Sequence, residues 1–161
     1  MKIATIKEMI AQIKAGTGIQ IIKGNMTNEP PPLPYGVYNI TSPYIKGRGR
    51  GALVDYANNG VSYQKRIEQY KFTISFSFYA GDIETTMENA FKVHQWFLFI
   101  GQEFIRNKNL AVVEVGNIQD RTTFIVEHYE YKHGFDVHFR ATDEQIRELS
   151  ETIETINLGG I

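Results

Sequence analysis

From Tyr70 to Tyr79 polar and apolar residues alternate without a break. Tyr70, Phe72, Ile74, Phe76 and Phe78 keep one phase, and Lys71, Thr73, Ser75, Ser77 and Tyr79 keep the other. Successive side chains of a strand point to opposite faces, so this run requires a sheet with one face buried and one polar. Upstream, Val61, Tyr63 and Ile67 fall on the opposite phase. A bulge or turn near Glu68-Gln69 would correct the register, letting the upstream part project beyond the body of the domain.

The buried face needs a cover, and two segments have helical periodicity. Ile3, Ile6, Ile10 and Ile13 recur at helical spacing before Gly16 and Gly18, which predicts a short amphipathic helix. Gly81-Asp82 opens a second, in which Ile83, Met87, Ala90, Phe91, Val93, Phe97, Leu98, Gly101, Phe104 and Ile105 form a wide apolar stripe. It reads as one long helix of about six turns. Between the two helices, Ile19 to Lys23 and Tyr35 to Ile40 read as strands, separated by a loop with the run Pro30-Pro31-Pro32-Leu33-Pro34. Further strands are expected at Leu110 to Val115 and Thr122 to Tyr131, with a turn at Gly116 to Asp120.

Register predicts a hairpin over Tyr129 to Arg140. A two-residue turn at His133-Gly134 would mix core and solvent faces. A three-residue loop, Lys132-His133-Gly134, pairs Tyr131 with Phe135 and Tyr129 with Val137, and puts Gly134 where a left-handed residue is needed. After Thr142 two readings stand. Thr142 with Gln145, then Ile146, Leu149, Ile153 and Ile156, continue as a helix, or Ile153 to Leu158 form an extended arm. The order of elements predicts an α+β fold, a mainly antiparallel sheet packed against one long helix, with a short N-terminal helix and a projecting hairpin or loops. One domain is expected over residues 1–161. Within it, 44–60 is a basic glycine-rich loop and 143–161 a C-terminal segment.

Composition narrows the chemistry. With 17 Lys and Arg against 18 Asp and Glu, the net charge of -1 gives no global attraction to nucleic acid or membrane. Cysteine is absent, which excludes disulfides, thiolate metal sites and cysteine nucleophiles. Charge runs through Met1 to Glu8, unlike a secretory signal, and no apolar run reaches membrane-spanning length. The expectation is a soluble protein that stays where it is made, in keeping with a reducing cytoplasm. Aromatic residues reach 12%, many in strand-like segments, so one sheet face packs on a large helix or meets a partner.

The predicted hairpin would set His128 opposite His138 and Glu130 opposite Asp136, a set able to hold a divalent metal. A solvated or subunit-facing strip is the weightier reading, because no nucleophile or oxyanion site accompanies it. Gly47-Arg48-Gly49-Arg50-Gly51 is glycine-rich, but no helix follows it as a phosphate loop requires. Lys46, Arg48 and Arg50 there touch DNA or an acidic partner, or are merely solvated. His94, without a second ligand at helical spacing, reads as a satisfied, semi-buried residue. No catalytic motif occurs, so neither an enzyme nor a cofactor is expected.

Several segments in order resemble the neck or tail terminator proteins of tailed bacteriophages. They are the N-terminal helix ending Gly16-Thr17-Gly18-Ile19-Gln20-Ile21-Ile22, the proline loop closing in Leu33-Pro34-Tyr35-Gly36-Val37-Tyr38, the strand Phe72 to Phe78 and the long helix. Tyr131 to Arg140 follows, then Ile153-Glu154-Thr155-Ile156. The most specific piece is Gly134-Phe135-Asp136-Val137-x-Phe139-Arg140. The resemblance implies a virion protein forming a ring with itself, commonly a hexamer, on the head-proximal end of the tail. That ring would stop tube growth and join the head, with the tail-tube protein and a head-side connector as partners. Its contacts are expected at Val61, Tyr63, Ile67, Lys132, His133 and Gly134. The competing reading is a head-side connector whose Lys46, Arg48 and Arg50 face portal-channel DNA.

Overall fold

A computed structural model describes residues 1–150. In chain order these form α1 (Ile3–Thr17), β1 (Ile21–Lys23), β2 (Tyr35–Lys46), β3 (Ala52–Asn58), β4 (Val61–Ala80) and α2 (Ile83–Gln95). A π-helical turn (Trp96–Ile100), α3 (Gln102–Asn107), β5 (Ala111–Val115), β6 (Gln119–Asp120), β7 (Thr123–Ile125) and β8 (His128–Glu148) complete it. The fold is α+β, with eight strands in a mixed sheet and three α-helices among the described residues. The main order is β1-β2-β4-β8-β5, with β3 on β4 and β6 and β7 on β8. Among the described residues only β1 and β2 run parallel; the remaining pairs are antiparallel.

The alternation in Tyr70 to Tyr79 does what its period demands. Phe72, Ile74, Phe76 and Phe78 are fully buried, and so are Phe135, Val137 and Phe139 opposite them on β8. Against this face lie Ile6, Met9 and Ile13 of α1, Ala90 and Val93 of α2, and Phe97 of the π turn. Phe72 stacks on Phe139 at 4.9 Å between ring centres, and Phe76 meets Phe97 at 5.1 Å. Burying one such ring contributes about 2–3 kcal/mol, so this cluster dominates the stability of the body. Local signals agree. Gly18 ends α1 at φ 76, and the Asp82 carboxylate accepts the Thr85 backbone N–H at 2.7 Å to open α2.

The expected single long helix is corrected to three consecutive segments. At the π turn Trp96 and Phe97 both point inward while Leu98, Phe99 and Ile100 point out, Phe99 being 82% exposed. A Cβ on Gly101 would lie 2.5 Å from the Trp96 ring, so glycine is what lets the indole fold back under the chain. The helical stripe is also rotated from expectation. Met87 and Phe91 are exposed, while Thr86 and Asn89 are buried. Thr86 affords this because its hydroxyl donates to the Ile83 carbonyl at 2.6 Å and meets His133 Nδ1 at 2.8 Å.

The expected hairpin at Lys132-His133-Gly134 is also corrected. β8 runs straight through those residues, pairing Lys132 with Tyr79, His133 with Phe78 and Gly134 with Ser77. Tyr129, Tyr131, His133, Phe135, Val137 and Phe139 share one uninterrupted phase, and only the polar His133 broke its appearance. That histidine sits inside, 7% exposed, because Thr86 satisfies it. The chain reverses earlier, at Val126-Glu127, between the paired residues Ile125 and His128.

Residues 44–60 are not an irregular loop. β2 continues to Lys46, and β3 forms a hairpin with β4 through Asn59-Gly60, whose φ values of 50 and 77 are those of a tight two-residue hairpin turn. Glycine-rich Gly47 to Gly51 alone remains a connection. No bulge corrects β4 near Glu68, since its register with β8 is unbroken from Tyr63↔Glu148 to Ala80↔Tyr131. The shifts lie in β2, around Ser42. Thr142 to Glu148 are strand rather than helix, and the alternative arm at Ile153 to Leu158 lies outside the described residues.

Candidate partner-binding surfaces

Beyond the helix-covered body, β3, Val61–Ile67 of β4 and Thr142–Glu148 of β8 form a three-stranded wing. Seven residues of strand span about 23 Å. No residue of β3 is buried, and none of Val61–Ile67 is fully buried. Because the register is unbroken, the faces of wing and body can be compared directly. On the side that carries Phe72 and Phe139 in the body, the wing presents Gln64, Arg66, Asp55, Gln145 and Arg147, with the exposed Leu53 among them. On the opposite side, polar in the body with Lys71, Thr73 and Ser75, it presents Val54, Tyr56, Val61, Tyr63, Ile67 and Ile146 around the Lys65–Glu144 ion pair, with Glu148 beside Tyr63. The apolar surface changes faces where body becomes wing. Tyr56 and Tyr63 stack there at 5.4 Å, and Val54 and Ile146 are 47% and 58% exposed.

The boundary is fixed by a charge cluster. Glu68, 4% exposed, is the first inward-facing residue past Tyr70. It is ion-paired to Arg66 and, at 3.3 Å, to Lys46 Nζ. Lys46 also donates to the Gly49 carbonyl at 2.5 Å. A Cβ on Gly47 would lie 2.7 Å from the Gln69 carbonyl oxygen, and one on Gly51 2.8 Å from that of Ile67. The glycines therefore bring the connecting loop down onto β4 as a lid on the carboxylate. Lys46 is engaged in this lid, whereas Arg48 and Arg50 are exposed and have no ion pair among the described residues.

A second projection lies at the other end of β8. Phe124, Val126 and Tyr129 of the β7–β8 hairpin are 61%, 86% and 58% exposed. Val126 holds φ at 53, a conformation that is costly for a β-branched residue. Neither its apolar tip nor its turn carried a signal in the sequence, since Glu127 and Val126 are not turn formers.

The sequence model of a family described as phage neck terminator protein matches residues 4–161. The chain belongs to that family. No curated protein matches its sequence. A neck terminator is a structural component of the virion, and no helix among the described residues is long and apolar enough to cross a membrane.

Within this neck terminator the signature stretch Gly134 to Arg140 is a clamp, not a tip. Arg121, following β6, lays its guanidinium across β8 onto β4. Its Nη1 donates to Ser75 Oγ at 2.8 Å, Ser77 Oγ at 3.0 Å and the Phe76 carbonyl at 3.2 Å, and its Nη2 donates to Asp136 Oδ1 at 3.1 Å. A Cβ on Gly134 would collide with the Phe76 carbonyl and come within 2.8 Å of Arg121 Nη1. Burial works to raise the Asp136 pKa, but hydrogen bonds from Ser75 and Arg121 and the Arg121 and His138 charges hold it below the usual carboxylate value. Phe135, Val137 and Phe139 supply the core side of the same stretch. Arg121 was missed by sequence reasoning, because its partners lie 15 to 46 residues away.

The candidate contacts therefore separate. Val61, Tyr63 and Ile67 lie together on the apolar wing face. Lys132 is bound to Glu130 at 3.0 Å and lies over the Tyr79 ring, while His133 and Gly134 are buried in mid-strand. His128, Glu130, Asp136 and His138 lie along one extended strand, and the two histidines are about 33 Å apart. No group of three or more His, Cys, Asp or Glu among the described residues could hold a metal ion. His94 Nε2 lies 2.9 Å from the Gly116 carbonyl, a structural contact.

Proposed function

We propose that copies of this chain close into a ring, commonly six-fold, on the head-proximal end of a phage tail. There the ring ends growth of the tail tube and offers the surface to which the head side joins. Family membership supports the neck location. The observation that carries the assembly reading is the wing, whose apolar face turns away from the helices and leaves Val54, Tyr56 and Ile146 exposed and Tyr63 half-buried in a single copy. An exposed apolar sheet face on a structural protein is a contact surface. The chemistry is surface complementarity between the chain, the tail-tube protein and a head-side connector.

Electron micrographs of virions made without this protein test the reading. A terminator is expected to leave overlong tails. Separate full heads beside tails of normal length would overturn it in favour of a head-side connector, in which the exposed Arg48 and Arg50 would face DNA.

A further inference from the structure

The wing has two open strand edges. The outer edge of β3 has no partner among the described residues, and neither does that of β8 beyond Ala141, because β5 reaches only Arg140. Seven exposed residues without Pro, Lys or Arg, and with Asp55 as the one charge, leave the β3 edge without the usual guards against strand addition. An edge of this kind takes an extended polypeptide through main-chain hydrogen bonds.

The side chains identify which one. The wing is built of rows running across its three strands. One row is Asp55, Gln64 and Arg147, joined by Gln64 Nε2 donating to Asp55 at 2.9 Å and Arg147 Nε donating to Gln64 at 2.9 Å. The next, on the opposite face, is Val54, Lys65 and Ile146. The first row ends in an anion at one edge and a cation at the other, and the second ends in an aliphatic side chain at both. We propose that β3 of one copy adds beside the Gln145–Glu148 segment of β8 in a second copy, continuing the sheet from wing to wing.

With both wings keeping the same face on the same side, β3 and β8, each antiparallel to β4, meet as a parallel pair. In register it sets Asp55 beside Arg147 of the neighbour, and Val54 beside the neighbour's Ile146. A two-fold pairing of β3 with itself would instead oppose Asp55, the centre of the strand, to its own copy, and like charges directly opposed are destabilising. The junction is therefore head-to-tail, the kind that generates rings. This inference rests on the ring reading and names the edges that close it.

The absence of cysteine makes the test direct. In a variant carrying Val54→Cys and Ile146→Cys, the two positions of one chain lie on either side of Lys65, roughly 9.6 Å apart, too far to bridge. Positions on adjacent strands of neighbouring copies are within reach. Oxidation, alone or on isolated tails, should give a ladder of covalent oligomers on a non-reducing gel, with each single-cysteine variant staying monomeric because its thiol has no partner at the junction. Asp55→Arg and Arg147→Asp should each weaken self-association by about tenfold or more. Mixing these two variants should restore it, because every junction in an alternating ring then has opposite charges.

Oligomers that form without cross-links and ignore the charge changes would overturn the junction and leave the ring reading standing. Failure of the unaltered protein to associate with itself or with tails would overturn both.

Discussion

Gly134 is an outward-facing position in the middle of a long strand, where a side chain would ordinarily be tolerated and helpful. In a strand interior glycine is about 0.5–1 kcal/mol worse than alanine, so Gly134→Ala would usually stabilise. Here the added methyl meets the Phe76 carbonyl and Arg121 Nη1, and relieving that overlap costs about 1–3 kcal/mol. Gly134→Ala is predicted to lower the urea midpoint, and a raised midpoint would refute the clamp. The residue was legible in the sequence as special but for the wrong reason. A glycine after Lys132-His133 reads as a left-handed turn residue, yet it needs no positive φ and serves a guanidinium arriving from Arg121. No local pattern encodes that approach. Glu68 is similar, because its burial depends on glycines 17 to 21 residues earlier that bring the lid onto β4.

Elements were legible where one period holds and one face is simply buried. α1, the Asp82 start of α2 and the strand around Phe72 to Phe78 all follow from spacing. The hairpin of β3 and β4 also carried its signal, Asn59-Gly60 between Tyr56 and Tyr63, but the surrounding Gly47, Gly49 and Gly51 disguised it. Gly60 sits at φ 77 with open space around it, so conformation rather than packing decides its replacement. Gly60→Val is predicted to cost about 1–2 kcal/mol and to speed amide exchange across β3 by about tenfold or more. Exchange at Phe72 and Phe139 should stay slow. An unchanged β3 would show that the turn does not hold the hairpin. The π turn was not legible, since Trp96 to Ile100 is apolar throughout and its extra residue is set by the fit of Trp96 over Gly101.

At the scale of the molecule, stability and assembly occupy different regions. Phe97→Ala should cost about 3–5 kcal/mol, because it empties the centre of the body. Val54→Asp on the wing should stay within about 0.5 kcal/mol of the parent in urea unfolding. It should nevertheless abolish assembly. A large loss of stability from Val54→Asp would mean that the wing face is already covered within one chain. The phase reversal of Val61, Tyr63 and Ile67 was the sequence's clearest sign of this division. It was misread as a register fault to be corrected by a bulge, since a single chain gives no reason for apolar residues to face outward. The reason lies in whatever the wing meets.

The unbroken ladder between β4 and β8 has a mechanical meaning. These strands, of 20 and 21 residues, run from the body into the wing without a joint. A pull on the wing along the strand direction loads their hydrogen bonds side by side in shear. The strands of the core are themselves the tether, so a load applied at the tip is shared by the part of the molecule that resists it best.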